Sequence, residues 1–300
     1  MTTLQCLLGL LDRRVPAERR AWLDSARAEI GRGIEDERFC VLFSLASRFA
    51  PRAPLAPDAA ERARAAQALA GWNPERWSIL DAFRAVLVLS RSDLSTPSAA
   101  RAIEELFRYA DMGELCAAYK LLALVPQAER FVWRAGEGAR SSMKAVYESA
   151  CCDTPFPARY FDDIAWRQAL IKALFVEAPL WRVWNVDARL DEELARMALD
   201  LADERRSAGR PVNPETWMCL GTHGGARAQS SIERELVHGP ARGRAGAALA
   251  LARAGRRDKL LSASAVESDP FVKQVMGSAL DGAHDSVAFH ALDQSTSGVC

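Results

Sequence analysis

The sequence predicts an all-α protein built of stacked helical hairpins, either a degenerate HEAT-like α-solenoid or a compact multi-helix domain. Three observations predict it. Apolar residues recur at helical spacing in stretch after stretch of the 300 residues. Short turns marked by Gly, Pro, Asn or Asp separate those stretches. Nowhere does a stretch show the strict apolar–polar alternation of a half-buried strand. Apolar residues make up 49 % of the chain, enough for a substantial core, and Lys plus Arg equals Asp plus Glu at 39 each. No net field therefore recruits nucleic acid or an anionic membrane.

The elements follow in order. Leu4 to Leu11 is a short apolar helix; no basic segment precedes it, no small-residue cleavage site follows, and it is too short to span a bilayer. Pro16 opens a second helix with Trp22, Leu23, Ala26 and Ile30 on one face, and Asp36 starts a third. Pro51, Pro54 and Pro57 form a rigid surface connection, because each removes a backbone donor. The residues up to 56 form an N-terminal group, 57–293 the main helical-repeat domain, and 294–300 a loose tail. An Ala/Arg-rich helix runs from Pro57-Asp58 to about Ala70. Asn73-Pro74-Glu75-Arg76-Trp77 then opens a helix to about Ser90, and this block is echoed by Asn213-Pro214-Glu215-Thr216-Trp217, with Leu80 and Leu220 three residues beyond each Trp. The echo is explained either by two similar caps or by repetition of a helical hairpin. Further helices are expected from Thr96-Pro97, over Asp111 to Leu124, Gln127 to Ala135 and Ser141 to Ala150, and in the last third over Ala228 to Leu236, Gly243 to Ala254, Asp258 to Ser262 and Asp269 to Leu280. The small-residue run from Gly243 to Gly255 resembles the Ala/Leu-rich helix of HEAT repeats.

The best-specified stretch is Asp162 to Gly225. Its second helix has Leu190, Leu194, Met197 and Leu201 at helical spacing, Asp191 to Glu193 in the first turn and Arg205 and Arg206 in the last, where each charge complements the helix dipole. Gly209 ends it, Pro211 prevents its resumption, and Asn213 caps the next helix with Pro214 at its first position.

Chemistry is sparser. Asp162-Asp163 invites comparison with the Mg²⁺-binding aspartates of isoprenoid synthases, but no third carboxylate follows a turn later, which leaves two acids at a helix N-terminus. Cys219 and His223 have a possible chelating spacing, interrupted by Gly221 and Thr222, and no second pair completes a zinc set. Thr222 to Gly225 could present backbone N–H groups to an anion ahead of the next helix, yet neither a phosphate-binding P-loop nor a dinucleotide fingerprint is present. No metal or cofactor is expected, and no Ser, Cys and His form a defensible triad. The basic cluster Arg253, Arg256, Arg257 and Lys259 reads as helix-end charge. Seven Cys without a CxxC pair fit reduced thiols in a cytoplasmic protein. Trp166, Trp181, Trp184 and Trp217 crowd the central stretch, as core packing or as the wall of a pocket for a flat ligand. The candidate ligand-binding residues are accordingly Trp181, Trp184, Asn185, Asp187, Arg189, Trp217 and His223.

One resemblance adds to this. Gln168-Ala169, Lys172 to Phe175, Val186-Asp187-Ala188-Arg189, Glu193 to Met197, Glu204-Arg205 and Gly209-Arg210-Pro211-Val212 together resemble the EboA family, most strongly over 160–255 and more weakly before it. Where the family tends to a Gly-Leu-Asp turn, this chain has Asn185-Val186-Asp187. The resemblance implies a bacterial protein of a secondary-metabolite trafficking system, whose gene accompanies enzymes of prenyl transfer and related chemistry. It implies no settled reaction. Two functions are therefore carried. The first is a non-catalytic helical-repeat scaffold or binding component, which takes proteins of the same operon or an apolar or aromatic metabolite. The second is an enzyme acting on a prenylated or diphosphate-bearing intermediate through Asp162, Asp163 and the Arg-rich helix ends.

Overall fold

The computed structural model describes residues 1–293; the expected tail, 294–300, lies outside the described residues. Among those described, the secondary structure comprises 16 α-helices and short 3-10 turns, with no strand. The all-α class follows directly. The chain forms two compact units, Met1–Ala165 and Trp166 onward, and each is built around one buried helix.

The first unit contains α1 (Thr3–Asp12), α2 (Ala17–Gly31), α3 (Asp36–Phe49), α4 (Ala59–Ala68), α5 (Ile79–Leu89), α6 (Pro97–Arg108), α7 (Met112–Leu121), α8 (Val132–Arg140), α9 (Lys144–Cys151) and α10 (Phe156–Tyr160). Every residue of α5 is buried, and α1, α2, α3 and α7 pack around it. That burial includes Arg84, whose guanidinium donates to the Phe43 carbonyl and to Glu114 Oε1 at 3.2 Å; a buried charge persists only when so partnered. The Pro-rich connection runs over the surface, with Arg52, Ala53, Pro54 and Ala56 exposed, and is pinned at Leu55. Its backbone pairs with the start of α5, with Leu55 N–H donating to the Trp77 carbonyl (2.7 Å) and Ile79 N–H to that of Ala53 (2.9 Å), and Leu55 is fully buried.

Next come α11 (Asp163–Val176), α12 (Glu192–Ser207), α13 (Gly225–His238), α14 (Ala241–Arg253), α15 (Arg257–Val266) and α16 (Pro270–Leu280). Here α14 is central: α13, α15, α16 and the 3-10 turns Pro214–Cys219 and Ser286–Leu292 all pack against it. Its inward residues are small, Gly243, Ala245, Gly246, Ala247 and Ala248, with Leu249 and Leu251. Small residues let neighbouring backbones approach; an added Cβ on Gly246 would collide with the Pro214 carbonyl oxygen and lie 3.1 Å from Trp217 Cδ1.

Several local expectations shift. The Asn-Pro-Glu blocks do not open α-helices. Each forms a 3-10 turn, Pro74–Arg76 and Pro214–Cys219, with the Asn side chain accepting from the Glu N–H at 3.1 Å and 2.9 Å. Ser78 then caps α5 separately through a reciprocal pair with Asp81. The face of α12 is also rotated. Leu194, Ala195, Ala198, Leu199 and Ala202 are buried, whereas Met197 and Leu201 are only half-buried; close packing selects the Ala positions over the larger side chains. Asp191 caps α12 by accepting from Leu194 N–H (2.8 Å) and pairs with Arg167 (2.7 Å). Gly209 takes the expected left-handed conformation, φ +66°.

Candidate functional site

Between α11 and α12 the chain makes two consecutive 3-10 turns, Leu180–Arg182 and Val186–Arg189. This is the segment that holds most of the residues expected from sequence. The link between the turns is Asn185 at φ +66°. Asn tolerates the left-handed region through its short polar side chain, so it fills a position where a Gly would serve equally well.

Each candidate side chain has a definite place. Trp181 is half-buried; its indole N–H donates to Asp293 Oδ2 at 2.7 Å, and its ring meets His290 edge-on, centroids 4.7 Å apart. Trp184 is half-buried and Asn185 exposed. Asp187 accepts from the Ser286 N–H (3.0 Å), the Ser286 hydroxyl (2.8 Å) and Arg253 Nη2 (2.5 Å). Burial works to raise its carboxyl, but these donors outweigh burial and hold it below the usual carboxylate range. Arg189 lays its guanidinium over Trp166, 4.8 Å from the ring centroid, and its carbonyl accepts the Trp166 indole N–H at 3.2 Å. Trp217 is wholly buried beneath Arg206, 5.3 Å away. His223 is exposed in the turn before α13. Asp187 and Trp217 belong to one knot, because Arg253 also reaches the Met218 and His284 carbonyls. Trp181, Asp187, Arg189 and Trp217 thus make ties within the second unit, whereas Asn185 and His223 face solvent.

Glu215 is the residue whose chemistry the sequence concealed. It reads as an ordinary acid in a first helical turn. In the structure it is buried, and the Leu180 and Trp181 N–H groups donate to its two carboxyl oxygens at 2.8 and 3.3 Å. It therefore caps the first 3-10 turn from a distant part of the chain. Burial pushes its carboxyl up to about 7 against the lowering effect of those two donors. Asp162 likewise acts as a cap, accepting from Ala165 N–H at 2.8 Å. The Cys219 thiol is fully buried and pushed up to about 12 by that burial, whereas His223 is exposed. Among the described residues no three His, Cys, Asp or Glu side chains group as metal ligands.

The second unit also contains a cleft of about 690 Å³ between α13 and α15, floored by α14 and α16. Leu236, Leu251 and Met276 line its apolar interior, and Val237 and Val266, 71 % and 84 % exposed, form its lips. Ion pairs brace it at both ends. Lys259 bonds Glu233, and Arg244 grips Glu267 through Nε (2.8 Å) and Nη2 (3.1 Å). That grip, opposed by burial and helped by the Ser268 and Asp269 N–H groups, lowers the Glu267 carboxyl to about 2. The basic cluster at the end of α14 therefore does more than decorate a helix end: Arg253 reaches Asp187, Arg256 reaches Gln229 and Lys259 reaches Glu233. None of the seven sequence-derived residues lines this cleft. The valines and Glu233 sit at ordinary helical positions and Glu267 directly follows α15, and only packing brings them around one opening.

Fold and cleft together describe an all-helical protein with a lined apolar opening and braced walls. The chain belongs to the EboA family: the family model described as metabolite traffic protein EboA matches residues 3–221. The match takes in the first unit, where the resemblance was expected to be weaker, and it stops at 221, short of the expected 255. It includes both 3-10 turns and Glu215, and it ends before α13, so the cleft lies beyond the matched residues. Neither a curated protein nor a solved structure matches the chain. No helix among the described residues is long and apolar enough to cross a membrane.

Proposed function

We propose that this chain is a non-catalytic binding component of metabolite traffic, holding an apolar metabolite in the cleft between α13 and α15. The observation that carries the reading is the cleft itself. Its volume, about 690 Å³, falls within the range of small-molecule sites, and its floor of Leu251 and Met276 with a few fixed polar groups at the ends has their usual character. The family description supplies the process. In this reading Trp181, Trp184, Asn185, Asp187, Arg189, Trp217 and His223 lie outside the cleft, and Asp187 serves it indirectly, because its partner Arg253 stands two residues beyond Leu251, which lines the cleft from the end of α14. The protein works in the cytoplasm beside proteins of the same operon, which deliver or receive the metabolite. The engagement of Asp162 as the cap of α11 favours binding over diphosphate chemistry.

The test is native mass spectrometry of protein purified from its own host, compared with the denatured mass. A mass excess that vanishes on denaturation, and that is lost in Ala263→Trp, which fills the cleft, is the expected result. Val266→Asp places a charge on a lip too exposed to matter for folding, and it should weaken retention in the same direction. An excess that survives both substitutions would place the ligand elsewhere.

A further inference from the structure

The ionic lining of the cleft restricts what can enter it. Its ionisable residues are Glu233, Asp258 and Glu267 against Arg244 and Lys259, so carboxylates outnumber cations. Both cations are already engaged. Arg244 uses Nε and Nη2 on Glu267 and donates from Nη1 to the Gly239 carbonyl at 3.0 Å. Lys259 is bonded to Glu233. A phosphate or carboxylate head that took Arg244 would pull the guanidinium away from Glu267 and leave that carboxylate without a counter-charge, held only by the Ser268 and Asp269 N–H groups. Leaving a partly buried charge unpaired is the costliest change available here. Glu267 would be that charge on one side, with its side chain 7 % exposed. At the opposite end Asp258 is 75 % exposed at the mouth, 3.8 Å from Arg256, with Ser262 a turn further along α15. Those groups accept hydrogen bonds and attract positive charge.

Resting on the binding role proposed above, we infer that the cleft takes an elongated apolar molecule whose head group donates hydrogen bonds, an amine or a hydroxyl, and that it rejects the same molecule bearing a phosphate or a carboxylate. The apolar body lies over Leu251 and Met276 between Val237 and Val266. The head sits toward Asp258, Ser262 and Glu233. Discrimination comes from repulsion as much as attraction, since the acidic lining disfavours an anion whose tail fits equally well. A lipid-like alcohol or amine is thus the class of cargo, and a prenyl diphosphate is excluded from this site.

The experiment displaces N-phenylnaphthylamine fluorescence from the full chain with three tail-matched ligands below their micelle thresholds: dodecylamine, dodecanol and dodecyl phosphate. The amine and the alcohol should displace the dye at concentrations at least about tenfold below the phosphate. Asp258→Lys, at a solvent-facing position, should narrow the amine-to-phosphate ratio by about threefold or more, with a smaller loss for the uncharged alcohol. Equal or stronger displacement by the phosphate overturns the head-group assignment, and it leaves the cleft itself standing if Ala263→Trp abolishes all three. Displacement by all three that persists in Ala263→Trp overturns the cleft as the binding site. Absence of displacement by any of the three overturns both.

Discussion

The two units solve the same problem, burying a central helix, with opposite side chains. In the first, α5 is buried on every side and filled with bulk: Ile79, Leu80, Phe83, Val86, Leu87, Val88 and Leu89. In the second, α14 presents Gly243, Ala245, Gly246, Ala247 and Ala248, and its neighbours come close enough that Gly246 has no room for a Cβ. Both units also contain the block Asn-Pro-Glu-X-Trp, folded both times as an Asn-capped 3-10 turn ending near a buried Trp, 4 % exposed at Trp77 and 0 % at Trp217. The same local solution sits in different surroundings. Glu75 is half exposed and within 3.5 Å of Arg62, whereas Glu215 is buried and caps another turn. Local chemistry sets the turn; packing sets what its Glu does.

The contrast between α5 and α14 yields the largest expected effects. Leu87→Ala should remove contacts and leave a cavity, costing about 3 kcal/mol or more in denaturant unfolding. In α14 damage comes from the opposite change. Gly→Ala inside a helix ordinarily stabilises by about 1 kcal/mol; Gly246→Ala should instead destabilise by about 2 kcal/mol, because the new methyl meets the Pro214 backbone rather than a flexible side-chain end. A more stable Gly246→Ala protein would show that the close approach does not limit the second unit.

Glu215 gives the next effect, through pH. Its carboxyl titrates near 7 in the folded protein, against an ordinary value of 4.5. Between those values the folded state holds a proton that the unfolded state has lost, so stability falls as pH rises through the window and levels off above it. The width of that window sets a ceiling of roughly 3 kcal/mol. Unfolding measured from pH 4.5 to 8 should show the decline in the wild type, and Glu215→Gln should remove most of it. A profile unchanged by that substitution would mean that water or a shifted side chain relieves the burial.

The legibility of the molecule divides along the same line. Caps and breaks were readable because they depend on one or two neighbours: Thr96-Pro97, Gly209 and Asn213 act within a turn of their own position. The all-α class was readable from periodicity for the same reason. The 3-10 geometry at Pro74 and Pro214 was not, since an Asn cap followed by Pro fits either helix type. The aromatic crowding around Trp181 reads equally as core packing or as a pocket wall, because crowding alone does not separate a wall from a tie. The partners that settle each role, Asp293 for Trp181, Ser286 and Arg253 for Asp187, lie 66 to 112 residues away in sequence. The cleft was least readable, because Val237, Leu251, Val266 and Met276 each look like unremarkable members of an apolar face.

The smallest effects compare the two Asn-Pro-Glu blocks directly. Each Asn satisfies an N–H that its 3-10 turn would otherwise leave open, so Asn73→Ala and Asn213→Ala should each cost about 1 kcal/mol. Asn213 should cost the more of the two, because its amide also donates to the Leu174 carbonyl at 3.2 Å. Below that lies Glu75. Its pair with Arg62 joins two side chains in solvent, 50 % and 39 % exposed, where screening and side-chain entropy offset most of the attraction. Glu75→Gln should therefore change stability by no more than about 0.5 kcal/mol in thermal unfolding. A loss of about 1 kcal/mol or more would mean that the Glu of this block has a structural duty wherever the block occurs. A negligible change would assign the importance of Glu215 to its burial and its two backbone donors, and not to the five-residue pattern that the two units share.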